Sequence, residues 1–234
     1  SPIVAETMRN LYDGVPMDEV YKASILAART LIEKDPDYTY ATARLLLHTI
    51  VREVLGRDVV PAEMSAAYAA YFPEFIQKGV DNELLEPRLL QRYDLRKLGA
   101  ALKAERDQQF DYLGLQTLYD RYFLHVRKSR IELPQAFFMR VAMGLALNET
   151  DREARAIEFY EILSSFDFMS STPTLFNSGT LHSQLSPCYL TTVPDDLEGI
   201  YDAIKEKALL AKYAGGLGHD WTPLRPLRSL IQGH

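Results

Sequence analysis

The chain has 234 residues, 47% hydrophobic and 25% charged, which excludes disorder as its main state and predicts one to two domains. A net charge of −6 and a pI near 5.4 have the wrong sign for a broad phosphate-binding surface. Extended nucleic-acid binding, DNA included, is therefore not expected, while a small nucleotide pocket remains allowed. No apolar run reaches the ~18 residues a membrane span needs, and SPIVAETMRN lacks the pattern of a secretory signal. The single cysteine, Cys188, rules out an internal disulfide and a cysteine-rich metal site. These features together point to a reducing, cytoplasmic compartment.

Apolar spacing predicts a helix from Asp18, its N-cap, to about Lys34, with Pro36 as the stop. A second helix is expected over Tyr38–Leu55, closed by Gly56, and a third from Pro61 to about Lys78, closed by Gly79. Two shorter helices are expected over Asn82–Tyr93 and Asp94–Glu105. In Tyr122–Glu132, apolar stretches flank the polar RKS, which suggests a hairpin or an extended arm. Pro134 then opens a strongly apolar helix, and Asp151–Phe166 reads as another.

The texture changes at Met169. SSTPTLFNSGTLHSQLSP is rich in Ser, Thr, Pro and Gly and reads as a loop or domain boundary. CYLTTV follows as a strand, Leu197–Tyr213 as a helix, and AGGLGHDW as a glycine turn into a short extended piece. Strand, helix, strand is the start of an α/β unit after a helical region. Such a unit cannot bury both faces of its strands alone.

Few residues here offer chemistry. Cys188 is either a buried structural cysteine, the common fate of a free thiol, or a nucleophile, metal ligand or redox group. Redox work by a dithiol requires a second cysteine, which the 234 residues lack. Asp195 and Asp196 either cap the following helix or accept bonds from a sugar hydroxyl. Gly215, Gly216 and Gly218 would let backbone approach a ligand, but match neither a dinucleotide fingerprint nor a P-loop. Arg225 and Arg228 are either solvated or contact an anion. His48, His125, His182, His219 and His234 are scattered, and Glu158 with Glu161 reads as a solvated helix face, so no metal site is expected.

Four stretches in order carry a resemblance. Asp111–Glu149 resembles the helical domain of ribonucleotide reductase large subunits, and SSTPTLFNSG (Ser170–Gly179) a loop that brings substrate-contacting residues into their barrel. QLSPCYLTTVPDDLEGI (Gln184–Ile200) resembles the first barrel strand and its helix, and YAGGLG (Tyr213–Gly218) the glycine turn of the second strand. More loosely, Asn10–Ile50 resembles the C-terminal half of an ATP-cone and its link, with Met17 and Tyr21 where the family often has Thr and His. PLRPLRSLIQGH departs from the family pattern, which usually has a glycine near Arg228.

The resemblance implies a mainly α fold: a helical N-terminal domain, then the first strand-helix-strand unit of an α/β barrel. The implied divisions are 1–56 (ATP-cone remnant and linking helices), 57–169 (helical domain) and 170–234 (start of the barrel). It implies a class I ribonucleoside-diphosphate reductase, in which a thiyl radical abstracts the 3′-hydrogen and a cysteine pair supplies two electrons. Cys188 matches one member of that pair. Thr172, Gly216 and the backbone of Pro187 and Cys188 match substrate contacts. Asp195, Asp196, Leu197 and Arg225 match the site for nucleoside triphosphate effectors. Implied partners are a ribonucleoside diphosphate, a small subunit bearing a metal-radical cofactor and a second large subunit, with no cofactor in this chain. The radical cysteine and the second redox cysteine would lie beyond His234, so the chain alone is expected to be inactive. The rival readings are a non-catalytic helical module that binds nucleotides or a partner, and an unrelated metal- or thiol-dependent enzyme.

Overall fold

A computed structural model describes residues 1–212 and 215–230. They form two compact units, one comprising Ser1–Met169 with Ser178–Leu181, the other Ser170–Asn177 with the residues from His182 onward. Residues 1–56 thus share a unit with the rest of the helical region. No helix among the described residues is long and apolar enough to cross a membrane.

In the first unit, α1 (Pro2–Arg9), α2 (Met17–Thr30) and α3 (Tyr38–Leu55) pack in succession. The N-cap of helix α2 is Pro16, two residues before the expected Asp18, which lies in the first turn, and the helix ends at Thr30 instead of Lys34. Gly56 closes α3 at φ +70°, the left-handed conformation a glycine cap adopts cheaply. Pro61 opens a 3₁₀ turn, Pro61–Glu63, and α4 (Met64–Asp81) runs past Gly79. Gly79 is not the expected stop: its bare Cα makes room for the side chain of Leu85. Only Arg88–Arg92 (α5) is helical within Asn82–Tyr93, because Leu85 is drawn into a β-bridge with Thr180. Helix α6 (Leu95–Ala100) is capped by Asp94, whose carboxylate accepts from the amides of Arg96 and Lys97.

After α7 (Tyr112–Thr117) comes the expected hairpin, β1 (His125–Val126) with β2 (Ser129–Arg130). Its turn residues Arg127 and Lys128 both have positive φ, 48° and 76°. At the centre lies α8 (Pro134–Ala146), buried continuously from Pro134 to Met143, with α9 (Arg152–Ser164) against it. A helix apolar on every side belongs in the middle of a bundle. Yet α8 carries one charge into that core: Arg140, fully buried, bonds Glu132, also fully buried, at 2.6 Å. Arg140 also donates to the Ser178 carbonyl at 2.7 Å, and Glu132 accepts from the Leu124 amide at 2.8 Å.

The pair therefore ties the hairpin, α8 and the 178–181 strap together. The strap lies so close that a Cβ at Gly144 would overlap the Gly179 nitrogen and Ser178 Oγ. Gly144→Ala should lower stability by about 1–3 kcal/mol through this overpacking, despite alanine's better helix propensity. A lower urea midpoint at constant m-value would register it.

The expectation of a solvated Glu158–Glu161 face needs correction. Glu158 pairs with Arg155, but Glu161 receives both Lys103 and Arg106, tying α9 to the turn Ala104–Gln109. Partial burial pushes the Glu161 carboxyl up, yet the two cations together outweigh it and hold the group below its ordinary range.

The second unit opens with α10 (Thr172–Asn177), a helix inside the stretch expected to be loop. Strand β3 (Cys188–Thr192), α11 (Leu197–Lys212) and β4 (Gly216–Asp220) complete it, with β3 and β4 parallel and Cys188 opposite Gly216. The expected glycine turn is instead the start of β4 itself. Tyr213, the expected helix end, and Ala214 lie outside the described residues. Along β3, Cys188, Leu190 and Thr192 are exposed, while Tyr189 and Thr191 face the side packed by α11. Leu190 is 87% exposed, as expected of a two-stranded sheet covered on one face.

Candidate functional site

Cys188 begins β3 and is exposed, so the reading of it as a buried structural thiol does not hold. Its parallel partner Gly216 donates its amide to the Pro187 carbonyl at 2.9 Å. A Cβ at Gly216 would stand 3.1 Å from that carbonyl oxygen and 3.3 Å from Cys188 Sγ. Pro187, Cys188 and Gly216 are thus brought together on the uncovered face. Glycine there leaves the space beside the sulphur open.

The next glycine on that face, Gly218, lies under Leu190, whose Cδ2 would be 2.7 Å from an added Cβ. On the opposite face, Gly215 accommodates the Tyr189 ring. Thr172 is the exposed first residue of α10 in the same unit.

At the far end of the strands, Val193 donates to the Asp220 carbonyl at 2.9 Å. Asp195 and Asp196 follow and play different parts. Asp196 accepts from the Gly199 amide at 2.8 Å, the capping role that was one of its alternatives. Asp195 pairs with Arg225 Nε at 2.8 Å, and Arg225 reaches the Asp195 carbonyl at 3.3 Å. Leu197 is 73% exposed beside them. The structure thus joins a carboxylate to a guanidinium across thirty residues of chain. Arg228 is not part of the cluster: it is exposed and held at φ +70°, a conformation that favours glycine.

Several residues went unread in the sequence. Thr174 Oγ1 donates to the Leu185 carbonyl at 3.0 Å, and Asn177 Nδ2 to the Gln184 carbonyl at 2.7 Å. Gln184 Nε2 donates to the Ser186 carbonyl at 2.7 Å and to the Tyr189 hydroxyl at 2.8 Å. The signal for them was present as amide and hydroxyl side chains clustered just before a strand. His219, read only as one of five scattered histidines, has a buried and unpartnered Nδ1, and burial together with Lys207 pushes its pKa down. Among the described residues no group of three or more His, Cys, Asp or Glu side chains could hold a metal.

Comparison with known proteins assigns this architecture. Residues 108–183 match the model of the ribonucleotide reductase all-alpha domain, and residues 186–234 that of the ribonucleotide reductase barrel domain. A ribonucleoside-diphosphate reductase alpha subunit from Chlamydia trachomatis is 49% identical over 96% of this chain, which covers 21% of that relative. One from Helicobacter pylori is 39% identical over 95% of the chain and 27% of the relative. A large subunit from Monkeypox virus is 32% identical over 99% of the chain and 29% of the relative. A helical unit followed by a parallel strand-helix-strand unit is thus the order of domains in one class of protein. The chain belongs to the ribonucleotide reductase large-subunit family, and spans between a fifth and a third of the length of these curated relatives.

Proposed function

We infer that this chain supplies one wall of the nucleotide-reducing site in a ribonucleoside-diphosphate reductase of the cytoplasm. The observation that carries the reading is the exposed Cys188 thiol at the mouth of two parallel strands, beside a glycine that keeps its flank open. In this reading Thr172, Gly216 and the Pro187–Cys188 backbone hold the ribonucleoside diphosphate. Cys188 is one of two thiols that together become a disulfide, delivering two electrons and two protons as the 2′-hydroxyl leaves as water. The oxidising equivalent that starts the reaction would come from a radical-bearing metal cofactor of a small subunit.

Asp195, Asp196, Leu197 and Arg225 form the effector cluster, where Asp195 meets a ribose hydroxyl and Arg225 a phosphate. With the two already paired to each other, an incoming nucleoside triphosphate would exchange their ion pair for its own contacts. Residues 1–56 are read as the ATP-cone remnant and linking helices, 57–169 as the helical domain, and 170–234 as the start of the barrel. A second large subunit is the expected partner across the exposed side of α11.

One thiol cannot form a disulfide within the molecule. The 234-residue chain, given CDP, a small subunit and a dithiol, should therefore yield no dCDP. Turnover above background would overturn the reading. Nucleoside triphosphate should raise its melting temperature, and Asp195→Ala should remove that effect. Stabilisation that survives both Asp195→Ala and Cys188→Ser would instead favour a non-catalytic binding module.

A further inference from the structure

We propose that Thr174, Asn177 and Gln184 form a positioning bracket that fixes the Pro187 carbonyl and the Cys188 thiol against β4. The proposal rests on the reading of Cys188 as the reducing thiol and adds the residues that hold it. Strand β3 starts only at Cys188, so the segment before it has few ladder bonds of its own. What holds that segment is α10. Thr174 takes the Leu185 carbonyl at 3.0 Å and Asn177 the Gln184 carbonyl at 2.7 Å, two successive carbonyls from one helix face.

Gln184 then carries the restraint forward. Its single amide nitrogen is shared between the Ser186 carbonyl, one residue before Pro187, and the Tyr189 hydroxyl, one residue after Cys188. Tyr189 is pinned in turn, since its ring occupies the space above Gly215. The Pro187–Cys188 dipeptide is thus held from both sides by one side chain. The result is the contact that opens the β3–β4 ladder beside the thiol: Gly216 N–H to the Pro187 carbonyl at 2.9 Å.

The same helix begins with Thr172, a proposed substrate contact. Through α10, two separate substrate-facing segments become one piece. Proximity of this kind matters in catalysis because misplacement of a reacting group by an ångström costs rate out of proportion to the change. None of the bracket residues needs to touch substrate. They act through the Pro187 carbonyl.

The test uses the whole chain, in which Cys188 is the sole thiol and reports on itself. Amide exchange at Gly216 and the rate of Cys188 alkylation by iodoacetamide are followed in Thr174→Val, Thr174→Ser, Asn177→Ala and Gln184→Ala. Thr174→Val and Gln184→Ala should each speed Gly216 exchange about fivefold, the factor one lost hydrogen bond is worth, and should shift the alkylation rate of the already exposed Cys188 thiol. Thr174→Ser, which keeps the hydroxyl, should restore both. The Val193 amide, at the far end of the sheet, should exchange as before.

Unchanged Gly216 exchange would overturn the proposal. So would equal loosening at Gly216 and Val193, which would mark a general loss of stability. Should Gln184→Ala not fold, the Thr174→Val and Thr174→Ser pair decides alone. Neither readout involves nucleotide or turnover, so the bracket and the redox reading of Cys188 fail separately.

Discussion

Glu132→Ala should cost the helical unit about 3–5 kcal/mol, the penalty for leaving the buried Arg140 guanidinium without its carboxylate. Both partners are fully buried and bonded at 2.6 Å, so solvent cannot replace the lost contact. Glu132 also accepts from the Leu124 amide, and the substitution would leave that donor unpaired as well. Against a typical domain stability of about 5–15 kcal/mol, one substitution removes a large share. A urea titration followed by far-ultraviolet circular dichroism measures it. The double variant Glu132→Leu, Arg140→Met should be more stable than Glu132→Ala, because two well-packed apolar groups carry no desolvation cost. If Glu132→Ala unfolds within about 1 kcal/mol of the parent, the pair is not the tie between hairpin, α8 and strap.

The second large effect is one of pH. Asp107 is buried without a cation: its oxygens accept from the Tyr68 hydroxyl at 2.8 Å and Gln135 Nε2 at 2.7 Å. Gln135 in turn accepts from Tyr160 at 2.7 Å, and Tyr160 from the Lys103 amide at 2.8 Å. Burial pushes the Asp107 carboxyl up from 3.8 to about 7, with Glu105 adding to the rise and the two hydrogen bonds opposing it. The folded chain therefore keeps a proton that the unfolded chain has released.

This contribution to stability is complete below the unfolded value of 3.8 and is lost as pH rises through 7. Over that window it amounts to about 4 kcal/mol, at ~1.4 kcal/mol for each unit of difference. Glu86 and Glu161, whose carboxyls are held below their usual value by Arg88 and by Lys103 with Arg106, contribute in the opposite sense as pH falls. The informative quantity is thus the difference between the parent and Asp107→Asn across pH 4 to 8. The parent should lose stability relative to the asparagine variant as pH rises through this range. Parallel profiles would contradict the assignment.

Helix existence was legible wherever apolar spacing met a clear stop, as at Gly56 and in the Pro134 helix. The parallel β3–α11–β4 unit was legible from the change of texture after Met169. Boundaries were lost where a tertiary contact overrode a local signal. Gly79 looks like a terminator, but it is a packing gap for Leu85. Helix α10 was hidden because TPTLFN sits among residues that favour turns, and the hydrogen bonds that hold it run to a segment still to come.

Arg140 was visible as the one charge in an apolar run, eight residues after Glu132, and could have been paired with it. Asp107 had no such signal, since it stands in the polar run AERDQQ and its burial depends on Tyr68 and Gln135. Among the site residues, the Cys188–Gly216 neighbourhood depends on strand register, and the Asp195–Arg225 pair on the return of the chain. Neither is a local property of the sequence. The resemblance named these residues, and the fold supplies their distances.

The claim at the centre is that Cys188 is a reducing thiol. The most direct measurement places residues 1–230 of this chain in a full-length large subunit of the family, in place of the matching stretch. With a small subunit, CDP and a dithiol, the graft should form dCDP, and Cys188→Ser should reduce that to background. Undiminished dCDP formation by the Cys188→Ser graft would contradict the account.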